Sequence, residues 1–104
     1  MIRVSVLYGN GPEARFDHEY YHSAHRELVE SRLRPLGLVR IEMDRGVAGG
    51  GGTDAPYVAS AHLYFESLDA FQEAFAAHGE ELLADIPNYT NVTPVLQVSE
   101  IVHG

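Results

Sequence analysis

The sequence predicts one α+β domain over residues 1–104, and three observations carry that prediction. A chain of 104 residues with 45% hydrophobic and 21% charged residues has the size and composition of an ordinary globular domain. Short segments of alternating polarity indicate strands, and two longer segments with helical periodicity lie between them. The resulting order, β-α-β-β-α-β, favours a four-stranded antiparallel sheet with two helices on one face, the ferredoxin-like arrangement.

The first half of the chain is expected to hold a strand, a helix and a second strand. Ile2 to Tyr8 alternates in polarity, as a strand with one buried face does. Asp17 is a suitable N-cap for a helix to about Arg34, and the following Pro-Leu-Gly sequence stops that helix. Leu38 to Gly46 is predicted to be the second strand. The glycine-rich segment 46–53 is expected to be a flexible hairpin loop, because no helix follows it to cradle a phosphate.

The second half is expected to repeat part of this order. Tyr57 to Glu66 alternates in polarity and is predicted to be the third strand. Ser67 is expected to cap a second helix that runs through roughly Ala77. Gly79 is expected to kink or end that helix, because glycine is a poor helix former, and residues 80–85 then add a further turn.

A fourth strand, Val92 to Val102, completes a sheet that has one uncovered face. Alternation places Ser60, His62 and Tyr64 of the third strand on that face, and Gln97 of the fourth strand beside them. Because valine, leucine, isoleucine and tyrosine share this face, it is expected to be too apolar for plain exposure. The sequence therefore predicts a homodimer that packs its two open sheet faces together.

Composition argues against several classes of function. A formal net charge of −8 argues against binding to nucleic acid and against an anionic membrane surface. The absence of cysteine excludes disulfides and thiolate chemistry. Neither a signal peptide nor an apolar run of membrane-spanning length is visible, so a cytoplasmic location is expected. No cofactor-binding motif stands out, and none is expected.

The first helix carries a histidine on its apolar side. On a helical wheel His25 lies between Leu28 and Val29, inside the arc that is expected to be buried. Tyr21 precedes His25 by four residues and lies within side-chain reach. This pair is a candidate for acid–base chemistry or for hydrogen bonding to a ligand. The alternative is a partly buried histidine satisfied by a backbone carbonyl or by Tyr21 itself.

Three histidines share this helical face, which raises the question of a metal site. His18, His22 and His25 are spaced by four and then three residues. Three ligands along one helix rarely converge on one ion, so no metal is expected here. A shift of one residue in helix register would exchange the surroundings of His22 and His25, so His22 also stays a candidate ligand contact.

His62 is the second histidine at a position where an apolar residue is expected. His62 lies on the open sheet face and is expected to contact the partner that covers this face. It is a candidate general base, or a group that orients a carbonyl in an enclosed cavity. The alternative is a histidine bonded across a dimer interface. Ser60, Tyr64 and Gln97 are candidate ligand contacts on the same face. His78 is a further candidate near the end of the second helix, although an interaction with the helix carboxyl end would also explain it.

Three separated motifs together resemble the EthD family, named for ethyl tert-butyl ether degradation: Phe16-Asp17-x-x-Tyr20-Tyr21-x-x-x-His25, Ala61-His62-Leu63-Tyr64-Phe65-Glu66-Ser67-Leu68, and Ala84-Asp85-Ile86-Pro87-Asn88-Tyr89-Thr90 followed by Pro94, Gln97, Ser99 and Glu100. The resemblance implies a dimeric α+β barrel built from two ferredoxin-like subunits. The wider superfamily includes cofactor-free monooxygenases, lactone isomerases, polyketide cyclases and haem-degrading enzymes. Many relatives have a proline two residues after the helix histidine, where this chain has Glu27.

The function expected from these residues and from the resemblance is that of a cofactor-independent enzyme, an oxidoreductase, isomerase or cyclase. Its substrate is expected to be a small, partly apolar metabolite of a catabolic pathway. His25 would be the general acid or base, Tyr21 its partner and His62 a second polar contact. One alternative is a non-catalytic binding protein that serves a partner oxygenase. Another is that the histidines are interface residues only.

Overall fold

The structure, a computed structural model, describes residues 1–104 and contains one four-stranded antiparallel sheet. Its strands are β1 (Ile2–Gly9), β2 (Leu38–Arg45), β3 (Tyr57–Phe65) and β4 (Val95–Glu100). Their spatial order is β2-β3-β1-β4, so β1 and β3 are central and β2 and β4 are edge strands. The predicted α+β class and ferredoxin-like arrangement are confirmed.

The first helical unit has three parts: α1 (His18–Tyr20), a π-helical turn (Tyr21–His25) and α2 (Arg26–Leu33). Asp17 caps it as expected, its carboxylate accepting a hydrogen bond from the Tyr20 backbone N–H at 3.1 Å. The π turn was not predicted, because the hydrophobic pattern does not register one wider turn. Such turns are rare and occur frequently at functional sites.

The second predicted helix is α3 (Leu68–Ala84), and it differs from the expectation about Gly79. The helix does not end there but continues to Ala84, with Asp85 as its C-cap. A Cβ atom at position 79 would lie 2.8 Å from the Phe75 ring, so glycine allows this ring to lie against the helix. The residue is there for close packing and not for chain termination.

The fourth strand is shorter than the predicted Val92 to Val102. The residues before it are held elsewhere: the Val92 backbone N–H donates to the Thr90 hydroxyl at 3.1 Å, and Thr90 forms an isolated bridge with Phe16. Pro94 has no N–H to donate to a ladder, and β4 begins at the next residue. This arrangement ties the segment before β4 to the start of the first helical unit.

The core lies between the sheet and the helices, and the opposite face of the sheet is uncovered. The small side chains of Ala59 and Ala61 on β3 belong to this core. The core side chains are Ile2, Val4, Tyr8, Tyr21, Val29, Leu33, Leu38, Ala59, Ala61, Leu63, Phe65, Phe71, Ala74, Leu82 and Tyr89. None of the helices combines the length and the hydropathy needed to cross a membrane.

Replacing Phe65 by alanine tests this core. The side chain is 0% exposed and packs edge-to-face on Phe71, so Phe65→Ala is expected to leave a cavity. We expect the free energy of unfolding to fall by about 3–5 kcal/mol, measured by urea denaturation. In the control variant Leu68→Ala, which alters an exposed side chain, we expect a loss below about 1 kcal/mol. Equal losses in the two variants would contradict this packing.

Candidate functional site

An apolar cavity of about 60 Å³ lies between the sheet and the helices. The only imidazole on its wall belongs to His25, and the only hydroxyls belong to Tyr8 and Tyr21. The other lining residues are Val4, Val6, Val29, Leu33, Ile41, Met43, Ala61, Leu63, Phe71, Phe75, Leu82, Leu83, Ile86 and Leu96. A cavity with a few convergent polar groups on an apolar wall is the usual form of a small-molecule site.

The π turn places Tyr21 and His25 one above the other on this wall. Their rings are nearly parallel, with centroids 5.8 Å apart and an interplanar angle of 14°. Both residues are buried, which places His25 in the inward arc where the helical wheel put it. The two residues pack together but are not hydrogen-bonded, so the partner of the imidazole lies elsewhere.

That partner is Asp85, the C-cap of α3. His25 Nδ1 lies 2.8 Å from Asp85 Oδ2. The other carboxylate oxygen, Oδ1, accepts hydrogen bonds from the Tyr20 hydroxyl and from Asn88 Nδ2, both at 2.9 Å. The carboxylate is thus oriented by three donors, and it fixes the imidazole by accepting the proton on Nδ1.

The second ring nitrogen leads into a chain of phenols. Tyr89 Oη lies 3.4 Å from His25 Nε2, and Tyr8 Oη lies 2.5 Å from Tyr89 Oη. Because Nδ1 carries the proton that Asp85 accepts, Nε2 presents its lone pair to the Tyr89 hydroxyl. Tyr89 then donates to Nε2 and accepts from Tyr8. The cavity wall at Tyr8 is in this way connected through two hydroxyls to a buried imidazole.

Burial and hydrogen bonding set the charges of this group in opposite ways. Burial lowers the pKa of His25, and the contact with Asp85 only partly offsets this. Burial by itself would raise the pKa of the Asp85 carboxyl, but hydrogen bonds from Asn88, His25 and Tyr20 outweigh it and lower that pKa. At neutral pH the site therefore pairs a neutral imidazole with an anionic carboxylate.

The Tyr21 hydroxyl is the polar atom of the site that lacks a partner. It is buried, and although the Tyr8 hydroxyl is nearby it makes no hydrogen bond of good geometry; the whole residue is 2% exposed. Burial raises the pKa of Tyr21, as it does for Tyr8 and Tyr89, so all three phenols keep their protons. The cavity wall therefore holds one O–H donor that is free to bond to a bound molecule.

The remaining helix histidines lie outside the cavity. His22 is exposed, so of the two neighbouring candidates it is His25 that faces inward. His78 is half-buried, with Nδ1 3.7 Å from Glu81 Oε1 on its own helix. The ring of His18 lies against that of Phe16, with centroids 4.7 Å apart. No three histidine, aspartate or glutamate side chains are grouped as a metal site would require.

His62 belongs to a separate polar group on the uncovered face of the sheet. The Ser5 hydroxyl lies 3.0 Å from His62 Nδ1, and Asp44 Oδ2 lies 3.6 Å from Nε2. Asp44 also accepts a hydrogen bond from the Ser60 hydroxyl at 2.5 Å. These four side chains come from β1, β2 and β3, and the sheet separates them from the cavity.

The other predicted contacts on this face are also engaged with neighbours. The Tyr64 hydroxyl donates to Glu42 Oε1 at 2.8 Å, and Gln97 Nε2 donates to the Ser99 hydroxyl at 3.1 Å. The face is thus more polar than the sequence suggested. The structure divides the predicted site residues into two groups, with Tyr21 and His25 at the cavity and His62, Ser60, Tyr64 and Gln97 behind the sheet.

Three residues of the cavity group were missed by sequence reasoning. Tyr8 and Tyr89 are aromatic residues in positions typical of a core, and nothing in their local pattern marks them as hydrogen-bonded. Asp85 lies in the motif Ala84 to Thr90, which was noticed without a role for its carboxylate. An acidic residue that follows directly on an apolar helix end was the one available signal.

The fold and the cavity define a ferredoxin-like domain with an internal cavity between its sheet and its helices. A family model described as "EthD domain" matches residues 11–93 of the chain. The chain therefore belongs to the EthD family. The resemblance carried by the three sequence motifs is thereby confirmed. No curated protein matches the chain.

Solved structures agree with this assignment. An EthD-like protein from Ralstonia eutropha JMP134 is 39% identical, with a TM-score of 0.90 over 98% of this chain and 92% of that chain. An ethyl tert-butyl ether degradation (EthD) family protein from Bacillus halodurans C-125 is 18% identical, with a TM-score of 0.70 over 98% and 99% of the two chains. A dimeric ferredoxin-like protein from an uncultured marine organism shares the fold at 14% identity, with a TM-score of 0.59 over 100% and 97%.

The lowered pKa of His25 predicts a pH-dependent stability. Below pH 6.5 the unfolded histidine takes up a proton that the folded one resists, so the free energy of unfolding is expected to fall as pH falls from there. We expect a smaller fall in His25→Gln than in the wild type, measured by urea denaturation between pH 7.5 and about pH 5. His18, whose pKa burial also lowers, leaves part of the slope in place. The exposed control His22→Gln should keep the wild-type slope, and an unchanged slope in His25→Gln would refute the assignment.

Proposed function

We propose that this protein is a cofactor-independent enzyme that performs acid–base chemistry on a small, largely apolar metabolite held in the cavity. The observation that carries the proposal is the hydrogen-bonded chain Tyr8–Tyr89–His25–Asp85, which begins on the cavity wall and ends at a half-buried carboxylate. Titratable groups whose pKa values are shifted by burial and by a specific partner, and which lie beside a cavity, are typical of catalytic sites.

His25 is suited to be the base because it is neutral and oriented. Its Nδ1 proton is held by Asp85, so Nε2 is the nitrogen that accepts a proton. When Nε2 is protonated, the nearby carboxylate stabilises the imidazolium, as the aspartate does in a catalytic triad. The same imidazolium can then return the proton, and one residue would serve as base and acid in turn.

The phenols supply a path and a dry setting for this transfer. A proton that arrives at the Tyr8 hydroxyl reaches Nε2 in two steps, from Tyr8 to Tyr89 and from Tyr89 to His25. Since the rest of the wall is apolar, charges that develop inside the cavity are weakly screened and interact strongly with these groups. None of these contacts specifically supports the redox reaction of an oxidoreductase.

We also propose that two copies of the chain associate through the open sheet face. Relatives of the same fold include a dimeric ferredoxin-like protein, and this face of the present chain holds partly exposed apolar side chains such as Val95 and Leu7. In such a dimer His62 and its polar neighbours would lie at the interface. Ser5 and Asp44 would remain the hydrogen-bonding and charged partners of the two ring nitrogens of His62. His62 would then orient the partner sheet, which is the alternative to a catalytic role.

Replacing His25 tests the proposed enzyme. We expect wild-type protein, incubated with a bacterial metabolite extract, to deplete a small apolar metabolite and form a product, as followed by mass spectrometry. In His25→Gln we expect turnover to fall at least 100-fold, since general acid–base groups contribute about 10²- to 10⁴-fold. The control His22→Gln changes an exposed histidine of the same helical unit and should retain wild-type turnover.

Two other results would speak against catalysis by this group. Equal turnover in wild type and His25→Gln would remove His25 from the mechanism. A metabolite that is bound tightly and recovered unchanged would instead favour the binding-protein alternative, and conversion only after a partner oxygenase is added would favour an accessory role.

The proposed dimer is tested by one matched pair of substitutions. Light scattering of the wild type is expected to give twice the 11.5 kDa of a single chain. Val95→Arg places a charge on the open sheet face, where valine is 62% exposed, and is expected to shift the protein to monomer. Val47→Arg makes the same change in a loop, where valine is 91% exposed, and should leave the dimer intact. A monomeric wild type, or a dimeric Val95→Arg variant, would overturn this interface.

A further inference from the structure

We propose that the ligand of the cavity, given the active site proposed above, is an apolar molecule with one hydrogen-bond-accepting oxygen that binds the Tyr21 hydroxyl. Its apolar body would point toward an opening between α3 and β4, lined by Leu83, Ile86 and Leu96. The inference rests on two observations: an orphaned donor inside the cavity, and three side chains that the cavity shares with a second, outer pocket.

The Tyr21 hydroxyl has a proton to donate and no hydrogen-bond partner in the protein. It is buried without a partner, and a buried polar group left unpaired is destabilising, which marks it as a group that a ligand completes. The other two polar residues on the wall are already engaged: Tyr8 donates to Tyr89, and His25 holds Asp85. A ligand with a carbonyl or ether oxygen satisfies this donor, and a group on the same ligand that gives up a proton can face the Tyr8 oxygen, which donates to Tyr89 and keeps a free lone pair.

The rest of the wall sets the apolar character of the ligand. Apart from Tyr8, Tyr21 and His25, every lining side chain is aliphatic, aromatic or a thioether, and these cannot compensate a charged or polyhydroxylated molecule for lost water. A sugar, a nucleotide or a polar amino acid is therefore a poor fit. A ketone, a lactone or an ether with a hydrocarbon body is a good one.

The opening follows from the outer pocket. Leu83, Ile86 and Leu96 line the cavity and also an outer pocket of about 570 Å³ between the end of α3 and the start of β4. Leu83 is 42% exposed and Leu96 is 38% exposed, so this side of the cavity wall meets solvent, whereas Tyr21 on the inner side does not. Because the cavity itself measures only about 60 Å³, a larger hydrocarbon body would extend outward past these side chains.

Two probes of nearly the same shape test the acceptor. Acetophenone carries a carbonyl oxygen that ethylbenzene lacks, and both can be titrated into the protein while cavity methyl signals are followed by NMR. Tyr21→Phe removes only the hydroxyl. We expect it to weaken acetophenone binding about tenfold and to leave ethylbenzene binding within twofold, because one hydrogen bond in a dry site is lost. Tyr57→Phe, which alters an exposed tyrosine, should change neither.

A third variant tests the opening. Leu96→Trp is expected to weaken or slow the binding of both probes at least tenfold by filling the passage. Val98→Trp enlarges the next side chain on the same face of β4, also exposed but outside both pockets, and should leave binding unchanged. Unchanged binding in Leu96→Trp would place the opening elsewhere and overturn this part of the inference.

The remaining outcomes separate this inference from the proposed function. If Tyr21→Phe weakens both probes equally, or neither, or if neither probe shifts the cavity signals, the ligand class is wrong. The His25 variant decides the enzyme independently of these probes. If turnover depends on His25 but the probe test fails, only the proposed ligand class is overturned. If the probes bind as expected but turnover does not depend on His25, only the proposed catalysis is overturned.

Discussion

The buried contact between His25 and Asp85 is the interaction on which the site depends. An imidazole placed between a sheet and two helices is destabilising unless it is hydrogen-bonded, and the partner here comes from 60 positions further along the chain. The contact joins the first helical unit to the end of α3. The same carboxylate also fixes the turn after α3, since it accepts hydrogen bonds from Asn88 and Tyr20. Positioning and chemistry are thus set by one carboxylate.

The sheet divides the molecule into two parts with different polar groups. On the helix side, a neutral histidine and three protonated phenols border an apolar cavity. On the open side, His62 is half-buried and is shared between the Ser5 hydroxyl and the Asp44 carboxylate. Successive residues of a strand point to opposite faces, so Val6 and Ser5 contribute to different surfaces although they are neighbours in the sequence. A ferredoxin-like sheet can in this way carry a ligand site and an association surface at once.

Local patterns explain how much of this could be predicted from the sequence. Alternation in Ile2 to Tyr8 and Tyr57 to Glu66 identified strands and their faces, and Asp17 and Ser67 were recognised as caps, because these signals involve neighbouring residues. His25 stood out as a polar residue in an apolar arc. Its partner could not be found in the same way, because a contact across 60 residues leaves no periodic trace.

Two further differences have the same origin. One π turn is too short for the apolar pattern to distinguish it from an α turn, so the proximity of Tyr21 and His25 was predicted but the turn and the parallel stacking of the two rings were not. The polar residues of the open face were predicted to be ligand contacts and stay a prediction, whereas the cavity of the structure lies on the other side of the sheet, which the sequence does not show. Packing decides that point: Gly79 lets the Phe75 ring turn back against its own helix, and Phe75 lines the cavity.

The hydrogen bond between the Tyr8 and Tyr89 hydroxyls forms only when distant parts of the chain have folded together. Tyr8 belongs to the first strand and Tyr89 follows the last helix, so their hydroxyl contact spans 81 positions and joins β1 to the segment before β4. Neither half of the chain can form this contact alone, and the proposed proton path is complete only when the sheet, both helical units and the final turn have assembled. A ligand that binds the assembled cavity and not the unfolded chain therefore stabilises the whole domain through linkage, and its binding to Tyr21 reports on the integrity of the entire fold.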